Sequence, residues 1–285
     1  MSTMITTNTP RYNTKNRCYP PSQRNGVFGT FEWASANANF INGCKHNCKY
    51  CYSKEMAIRF GRKTPENWEN EHVRVGSLNK KIGRVNGTIM FPSSHDIHPN
   101  HLNKSLIFLE NLLTAGNKVL IVTKPHLECI QAICEEFFSC KENILFRFTI
   151  GSADSKILKF WEPGAPNYME RLASLRWAHN KGFQTSISCE PMLDNNIEEV
   201  IDDTILFVTD AIWIGRANFL LRRLKLNGEN DINTLNIARQ LIEQQNDEYI
   251  MNLYYKFVDN PKIKWKESIK RVVGLQISAK KGLDI

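Results

Sequence analysis

The feature of the sequence that most constrains the fold is a regular alternation of two kinds of segment between residues 87 and 215. Short segments with apolar centres predict buried strands, and the longer segments between them carry apolar residues at helical spacing. Strands that alternate with helices in this way form parallel βαβ units. We predict strands at residues 87–91, 118–124, 144–150, 184–189 and 211–215, and helices at residues 103–115, 127–138, 168–181 and 196–203.

Both ends of the chain extend this pattern. Small apolar and polar residues alternate at residues 36–41, which predicts a weaker strand and brings the βα units to about six. Two further helices are predicted at residues 234–245 and 248–258. A closed barrel of eight units would be tight in 285 residues, while an open barrel and a doubly wound sheet both fit the pattern. We divide the chain into an N-terminal arm (1–32), the βα units (33–220) and a C-terminal helical extension (221–285).

The composition limits the class of protein. No apolar run is long enough to cross a bilayer, and the N-terminus lacks the profile of a signal peptide, so we expect no membrane partner. The net charge of +8 favours a polyanionic partner, although basic runs are often only solvated surfaces. Five scattered cysteines fit buried thiols in a reducing compartment, which predicts the cytoplasm. They are Cys18, Cys129, Cys134, Cys140 and Cys189.

Three further cysteines lie within eight residues, as Cys44, Cys48 and Cys51 in the spacing C-x3-C-x2-C. Thiolates this close can converge on one metal centre. A [4Fe–4S] cluster held by three cysteines leaves one iron free to bind a small molecule, which is the arrangement needed to cleave S-adenosylmethionine reductively. A structural zinc site usually has four ligands, and His46, inside the first spacer, would be a cramped fourth. A disulfide would leave an odd thiol, and non-ligating cysteines are the remaining alternative.

The segments next to the predicted strands carry groups that can bind ligands. Ser53 can cap a helix that follows the cysteines. Residues 61–85 are predicted to form an irregular connection. Polar residues close each strand, and in a barrel they would face one cavity at the C-terminal ends. Loop residues are polar in most proteins, however, and His95, Asp96 and His98 could equally form a separate metal site.

Several stretches resemble the radical S-adenosylmethionine (radical SAM) superfamily and, within it, the spore photoproduct lyase family of DNA repair enzymes. The resemblance runs from about residue 39 to residue 191, roughly half of the chain. It implies an α/β fold, a partial (β/α)6 TIM-like barrel with C-terminal helices. The matching stretches are Gly43-Cys44-x3-Cys48-x2-Cys51-Tyr52, Ser93-Ser94-His95-Asp96-Ile97, Thr123-Lys124, Phe146-Arg147-Phe148-Thr149-Ile150, Trp161-Glu162-Pro163-Gly164-Ala165-Pro166, and Arg171-Leu172 through Gly182 to Glu190-Pro191.

The resemblance also implies cofactors, partners and site residues. It implies a [4Fe–4S] cluster on Cys44, Cys48 and Cys51, and S-adenosylmethionine as the second cofactor. A reductant such as flavodoxin or ferredoxin would supply the electron. The implied substrate is a nucleobase in DNA or RNA, with a peptide or a small molecule left open. Lys124 would pair with the cofactor carboxylate, within a set of cofactor contacts made by Tyr52, Ser94, Lys124, Thr149 and Glu190.

One position departs from the family pattern. The lyase has a cysteine after its second strand as the hydrogen-atom donor, and Ser93 stands there in this chain. The O–H bond of serine is too strong to give up its hydrogen readily, so the resemblance does not extend to the hydrogen-donor step of the lyase reaction. Cys189 is the candidate substitute donor and the predicted catalytic residue, while Glu162-Pro163-Gly164 is predicted to be a helix-entry turn.

Two other hypotheses remain open from the sequence. One is a nucleic-acid-binding module stabilised by a structural metal at Cys44, Cys48, Cys51 and His46, without radical catalysis. The other is a degenerate radical SAM fold that binds the cluster without turnover.

Overall fold

A parallel sheet of seven strands forms the centre of the protein. The computed structural model describes residues 26–282, so most of the predicted N-terminal arm, with Cys18, lies outside the described residues. The strands of the main sheet, in spatial order, are β1 (Ala36–Asn37), β4 (Thr88–Met90), β5 (Lys118–Thr123), β6 (Ile144–Thr149), β7 (Gln184–Cys189), β8 (Ile212–Ile214) and β9 (Ile263–Trp265). A separate antiparallel pair consists of β2 (Ile41–Asn42) and β3 (His72–Val73).

Helices follow the strands and cover one face of the sheet. The first half of the chain has α1 (Tyr52–Arg59), α2 (Val75–Leu78), α3 (Leu102–Thr114), α4 (Leu127–Glu136), α5 (Ser155–Trp161) and α6 (Tyr168–Asn180). The second half has α7 (Ile197–Thr204), α8 (Leu220–Leu226), α9 (Ile232–Gln244), α10 (Asp247–Phe257) and α11 (Glu267–Val273). No helix within residues 26–282 combines the length and the apolar character that a membrane crossing requires.

The alternation of side chains along each strand divides the sheet into two faces. On the helix-facing side, residues such as Ile89, Ile121 and Phe148 belong to the main apolar core. On the other side, Met90 and Leu120 form a smaller apolar cluster, and Ser188 lines a cavity. Because apolar clusters lie on both faces at β4 and β5, these two strands can be apolar almost throughout their length.

The predicted fold class is confirmed. The sheet is parallel, it alternates with helices, and it is open between β1 and β9, as in a partial barrel. The five central strands that we predicted are all present, and the weak first strand is reduced to β1. The C-terminal segment is not only helical, because β9 adds a seventh parallel strand next to β8. The division at residues 32 and 220 stays a prediction.

The structure corrects one local prediction at the start of α1. The helix begins at Tyr52, and the capping residue is Cys51 rather than Ser53, since the Cys51 Sγ accepts a hydrogen bond from the Lys54 backbone N–H at 3.4 Å. The third cysteine of the motif therefore also starts the helix.

Candidate functional site

The three clustered cysteines lie on the loop between β2 and α1. Cys44 and Cys48 are buried, and Cys51 is partly buried. The loop is closed by backbone hydrogen bonds, including one from the Cys51 N–H to the Cys48 carbonyl at 3.2 Å. Gly43 enters the loop with φ +107°, and a Cβ there would lie 2.7 Å from the Trp68 carbonyl oxygen, so only glycine fits.

The connection between α5 and α6 supports this loop from behind. The Gly164 N–H donates to the His46 carbonyl at 3.0 Å, and a Cβ on Gly164 would collide with the Lys45 carbonyl. The Lys49 N–H donates to the Trp161 carbonyl at 2.9 Å. The segment predicted to be a helix-entry turn thus ends α5 and packs directly on the cysteine loop.

Glu162, in the same connection, is the centre of a buried polar network. It accepts a hydrogen bond from the Tyr50 hydroxyl and pairs with Arg171 at 2.5 Å, and both charged side chains are fully buried. Arg171 also donates to the carbonyls of Pro166 and Thr149. Burial, reinforced by the Glu162 charge, raises the pKa of Tyr50, which keeps the phenol protonated as a hydrogen-bond donor.

The spacing of the three thiols bears on the kind of metal centre that they fit. Four-coordinate zinc with bonds of about 2.3 Å would bring its sulfur ligands to about 3.8 Å from one another. Among residues 26–282, one group of three candidate ligands has all its ligand atoms within 4.8 Å, and it consists of Cys44, His46 and Asp96. The three cysteines do not form such a group, so they are spread more widely than one zinc ion requires. Three cysteine thiolates on one short loop are the ligand type that iron–sulfur clusters take.

Burial controls the protonation of these thiols. It raises the pKa of Cys44, Cys48 and Cys51, and nearby Asp96 raises the pKa of Cys44 further. The metal-free thiols are therefore neutral, and metal binding must release their protons.

Asp96 joins the cysteine loop to the next strands. Its Oδ1 accepts hydrogen bonds from the Thr123 hydroxyl at 2.8 Å and the Lys124 N–H at 2.7 Å. Its Oδ2 lies 3.0 Å from His46 Nδ1 and 3.7 Å from Lys124 Nζ. Burial alone would raise the pKa of Asp96, but Lys124 and His46 hold it well below its usual range. Burial likewise opposes the charge on Lys124, yet Asp96 raises the pKa of Lys124 well above its usual value. Both groups are therefore charged at neutral pH.

A cavity of about 440 Å³ lies beside the cysteines, at the C-terminal ends of the strands. Its lining includes the three cysteines and all of the side chains that the resemblance assigned to the cofactor. These are Tyr52, Ser94, Lys124, Thr149 and Glu190, which come from five different loops or strand ends. Apolar surface is supplied by Met90, Val122 and Trp33.

Cys189 does not line the cavity. Its side chain is fully buried in the main apolar core, and burial, followed by the charge of Asp194, raises the pKa of its thiol. The reason is the period of two along β7, because Ser188 and Glu190 face the cavity and Cys189 must face the helices. The structure gives no support to Cys189 as a hydrogen-atom donor to a bound substrate.

Ser93 faces the cavity and is held by Asn39. The Asn39 amide donates to the Ser93 hydroxyl at 2.8 Å, and its Oδ1 accepts from the N–H groups of Ser93 and Ser94, both at 2.8 Å. The Ser93 hydroxyl oxygen is thus an acceptor for Asn39, which leaves its own O–H to donate elsewhere.

The histidines do not form the separate metal site that the sequence left open. The His95 ring packs against Phe40 and Phe91, and burial lowers its pKa to about 4. The His98 ring instead lies against His126, with ring centroids 4.9 Å apart. The His95 ring therefore lies apart from the Asp96 carboxylate and the His98 ring, which are both next to His46.

Sequence reasoning missed several residues that line or support the cavity. Trp68, from the segment predicted to be irregular, and Arg223, on the unpredicted α8, both line it. Lys266 lies behind Glu190, with 3.4 Å between its Nζ and the Glu190 Oε2. A usable signal existed for β9, because apolar Ile263 and Trp265 alternate with lysines.

Comparisons with known proteins agree with this geometry. A profile of the Radical SAM superfamily matches residues 38–208 of the chain. The uncharacterized protein ORF301 of Acidianus two-tailed virus is 24% identical over 244 residues, which cover 80% of each chain.

Two solved structures are similar to the chain in fold. A variant of spore photoproduct lyase has a TM-score of 0.50 at 14% identity, over 85% of this chain and 79% of the lyase. SuiB of Streptococcus suis, bound to S-adenosylmethionine, has a TM-score of 0.50 at 14% identity, over 87% of this chain and 54% of SuiB. At these identities the likeness concerns the fold alone.

Proposed function

The chain belongs to the radical SAM superfamily, and from this premise we propose that it cleaves S-adenosylmethionine reductively at a [4Fe–4S] cluster bound by Cys44, Cys48 and Cys51. The product is a 5′-deoxyadenosyl radical that abstracts hydrogen from a substrate, for which we propose a nucleobase in DNA or RNA. The observation that carries the proposal is the convergence of the three cysteines with five polar side chains from separate segments of the chain on one cavity.

The cluster and S-adenosylmethionine would supply the electron transfer and the radical, and the chain supplies binding and shielding. Lys124 is charged and borders the cavity, so it suits the carboxylate of an amino-acid ligand. Glu190 offers a carboxylate for an amino or ribose group, and Ser94 and Thr149 offer hydroxyls. The apolar surface from Met90, Val122 and Trp33 limits the access of water to a reactive intermediate.

Tyr52 occupies a different position from these groups. Its hydroxyl donates to the Ser93 carbonyl, and its side chain is 41% exposed, so its ring lies at the cavity rim. We assign it to orienting the loop that carries Ser93 and Ser94, next to the bound cofactor.

Charge near the cavity supports a polyanionic substrate. Arg216 and Arg223 line the cavity, where Arg216 pairs with Asp247 at 2.9 Å. Arg222, on the same helix as Arg223, is 55% exposed, and both arginines share the single carboxylate of Glu55, which leaves an excess of positive charge. Together with the net charge of +8, these residues favour a phosphate-bearing substrate. A solved structure of a spore photoproduct lyase variant with bound AdoMet and dinucleoside spore photoproduct is also similar in fold, at 15% identity and a TM-score of 0.50.

The reaction on that substrate differs from dimer repair in our proposal. Ser93 replaces the cysteine donor, and Cys189 is turned away from the cavity, so we propose a reaction that does not need a cysteine hydrogen donor at either position. A flavodoxin or ferredoxin as reductant and a cytoplasmic location complete the proposal.

The test is anaerobic reconstitution with iron and sulfide, followed by S-adenosylmethionine cleavage with dithionite in the presence of single-stranded DNA, duplex DNA, RNA or buffer alone. We expect about four irons per chain and faster 5′-deoxyadenosine formation with one nucleic acid. A reconstituted protein that contains zinc and no iron would contradict the proposed [4Fe–4S] cluster. Cleavage that no nucleic acid stimulates would contradict the substrate class.

A further inference from the structure

Lys266 is a fully buried lysine in the short connection between β9 and α11. A buried ammonium is costly unless charged and polar partners surround it. Lys266 Nζ lies 2.6 Å from Glu32 Oε1 and 3.4 Å from Glu190 Oε2, and it donates to the Gly29 carbonyl at 3.3 Å. It also lies 3.8 Å from the ring centroid of Trp33.

We propose that Lys266 is a positioning residue for the cofactor site: it fixes the carboxylate of Glu190 and holds the turn at residues 29–33 as a wall of the cavity. The identity of the ligand that Glu190 meets rests on the function proposed above. The positioning itself is a property of the chain and can be tested without any ligand.

Pairing of the last two strands of the sheet sets the location of Lys266. Its N–H donates to the Ile214 carbonyl at 2.8 Å, which continues the parallel pairing of β8 with β9. Gly215 follows β8 at the same level, and a Cβ there would lie 3.0 Å from both the Glu190 Cγ and the Lys266 Cβ. The absence of a side chain at position 215 allows Glu190 and Lys266 to approach each other.

The second role of Lys266 concerns the N-terminal wall. Gly29, Thr30 and Trp33 line the cavity, and Glu32 is buried beneath them. Glu32 accepts from the Gly29 N–H at 3.0 Å and from the Glu267 N–H at 3.2 Å. The Glu32–Lys266 pair therefore joins segments from opposite ends of the chain at the cavity.

The first experiment compares Lys266→Met with Lys264→Met. Lys264 is exposed on β9, two residues before Lys266, and Lys264→Met removes the same charge without touching the cavity. In the reconstituted enzyme we expect S-adenosylmethionine to bind roughly tenfold more weakly after Lys266→Met, with iron content unchanged and Lys264→Met like the wild type. Equal affinity in the two variants would overturn the proposal.

A double-mutant cycle separates positioning from general damage. If Lys266 acts through Glu190, Glu190→Gln should weaken binding and Lys266→Met should add less than about threefold on top of it. If the loss of affinity in the double variant equals the product of the two single losses, Lys266 does not act through Glu190. That result would contradict the proposal that Lys266 fixes the Glu190 carboxylate.

The wall is tested on the metal-free protein by hydrogen exchange. Amides of residues 29–35 should exchange about tenfold faster in Lys266→Met than in Lys264→Met, because the turn has lost its ion pair. Unchanged exchange rates at residues 29–35 would contradict the proposal that Lys266 holds this turn. If Lys266→Met fails to fold, Lys266→Arg keeps the charge with a different shape, and it should keep the fold while weakening cofactor binding. Wild-type affinity in Lys266→Arg would then count against positioning.

These experiments also distinguish the positioning role of Lys266 from the proposed function. A wild-type protein that does not bind S-adenosylmethionine contradicts the proposed function, while faster exchange in Lys266→Met would still support the positioning role.

Discussion

Two walls of the cavity each rest on a buried ion pair, and the two pairs are built differently. Behind the cysteine loop, Glu162 and Arg171 approach to 2.5 Å, and behind Glu190, Glu32 and Lys266 approach to 2.6 Å. All four side chains are at most 3% exposed. The first pair spans nine residues, whereas the second joins segments from the two ends of the chain.

The difference shows how the two walls depend on the rest of the fold. The cysteine loop carries its ligands within one short segment, and a nearby connection between two helices supports it. The other wall depends on pairing between segments far apart in the chain, because the pairing of β9 with β8 places Lys266 next to Glu190. We therefore expect damage to the first wall to affect the cluster, and damage to the second to affect cofactor affinity with the cluster intact.

The largest expected effect follows from removing Glu162. Glu162→Ala leaves the buried Arg171 charge without its carboxylate, and breaking a buried pair in this way costs about 3–5 kcal/mol. Urea unfolding of the metal-free protein measures the loss, with the exposed Glu110→Ala on α3 as control. A loss below about 1 kcal/mol, the range of surface pairs, would show that this pair does not support the loop.

Asp96→Asn tests the contacts by which Asp96 joins His46 of the cysteine loop to Lys124. The substitution keeps the shape but removes the charge that faces Lys124 and His46. We expect S-adenosylmethionine to bind about 10–100-fold more weakly, because Lys124 loses the group that orients it.

Calorimetric titration of the reconstituted enzyme measures this change. Asp202→Asn, at an exposed position of α7, is the matched control and should bind like the wild type. Loss of the iron together with the affinity would instead assign Asp96 to the cluster wall.

Two glycine substitutions compare the walls directly. Gly164→Ala collides with the Lys45 carbonyl and should lower the iron content after reconstitution, because the cysteine loop must shift. Gly215→Ala meets side-chain atoms at 3.0 Å, so it should leave the iron content unchanged and weaken cofactor binding severalfold. Iron analysis and binding titration on both variants measure these effects. Loss of iron in Gly215→Ala, together with full iron content but weaker binding in Gly164→Ala, would contradict the comparison.

The smallest expected effect is a pH dependence from His98 and His126, which lie outside both walls. Burial lowers the pKa of each to about 4, with the neighbouring imidazoles adding to the shift. Between pH 6.5 and pH 4 the unfolded chain binds protons at these sites and the folded chain does not, so stability falls as the pH falls. Above pH 6.5 the contribution is absent.

Replacing both histidines with Asn should flatten this part of the stability profile. Denaturant unfolding of the metal-free protein from pH 4 to pH 7 measures it, with His72→Asn at an exposed position as control. An identical slope in the double variant and the wild type would rule out the two imidazoles as its source.

The sequence predicted the elements whose signals are local. The five central strands are short segments with apolar or β-branched residues between helical segments, and the cysteine spacing is contained in one loop. The orientation of Cys189 could also have been predicted, since Glu190, its neighbour on a strand, was already assigned to the cavity. The alternation at β9 covers only three residues, so this strand was missed although its signal is local. By contrast, no local pattern indicates that Lys266 meets Glu32 and Glu190.

The central claim is that three cysteines hold a cluster that leaves one iron for S-adenosylmethionine. Its most direct test is the yield of 5′-deoxyadenosine and methionine from the anaerobically reconstituted protein with dithionite. We predict equal amounts of both products from the wild type and from Cys189→Ser, and none from Cys44→Ser, Cys48→Ser or Cys51→Ser. A wild-type protein with a complete cluster and no cleavage, or cleavage that survives loss of these cysteines, would contradict the claim.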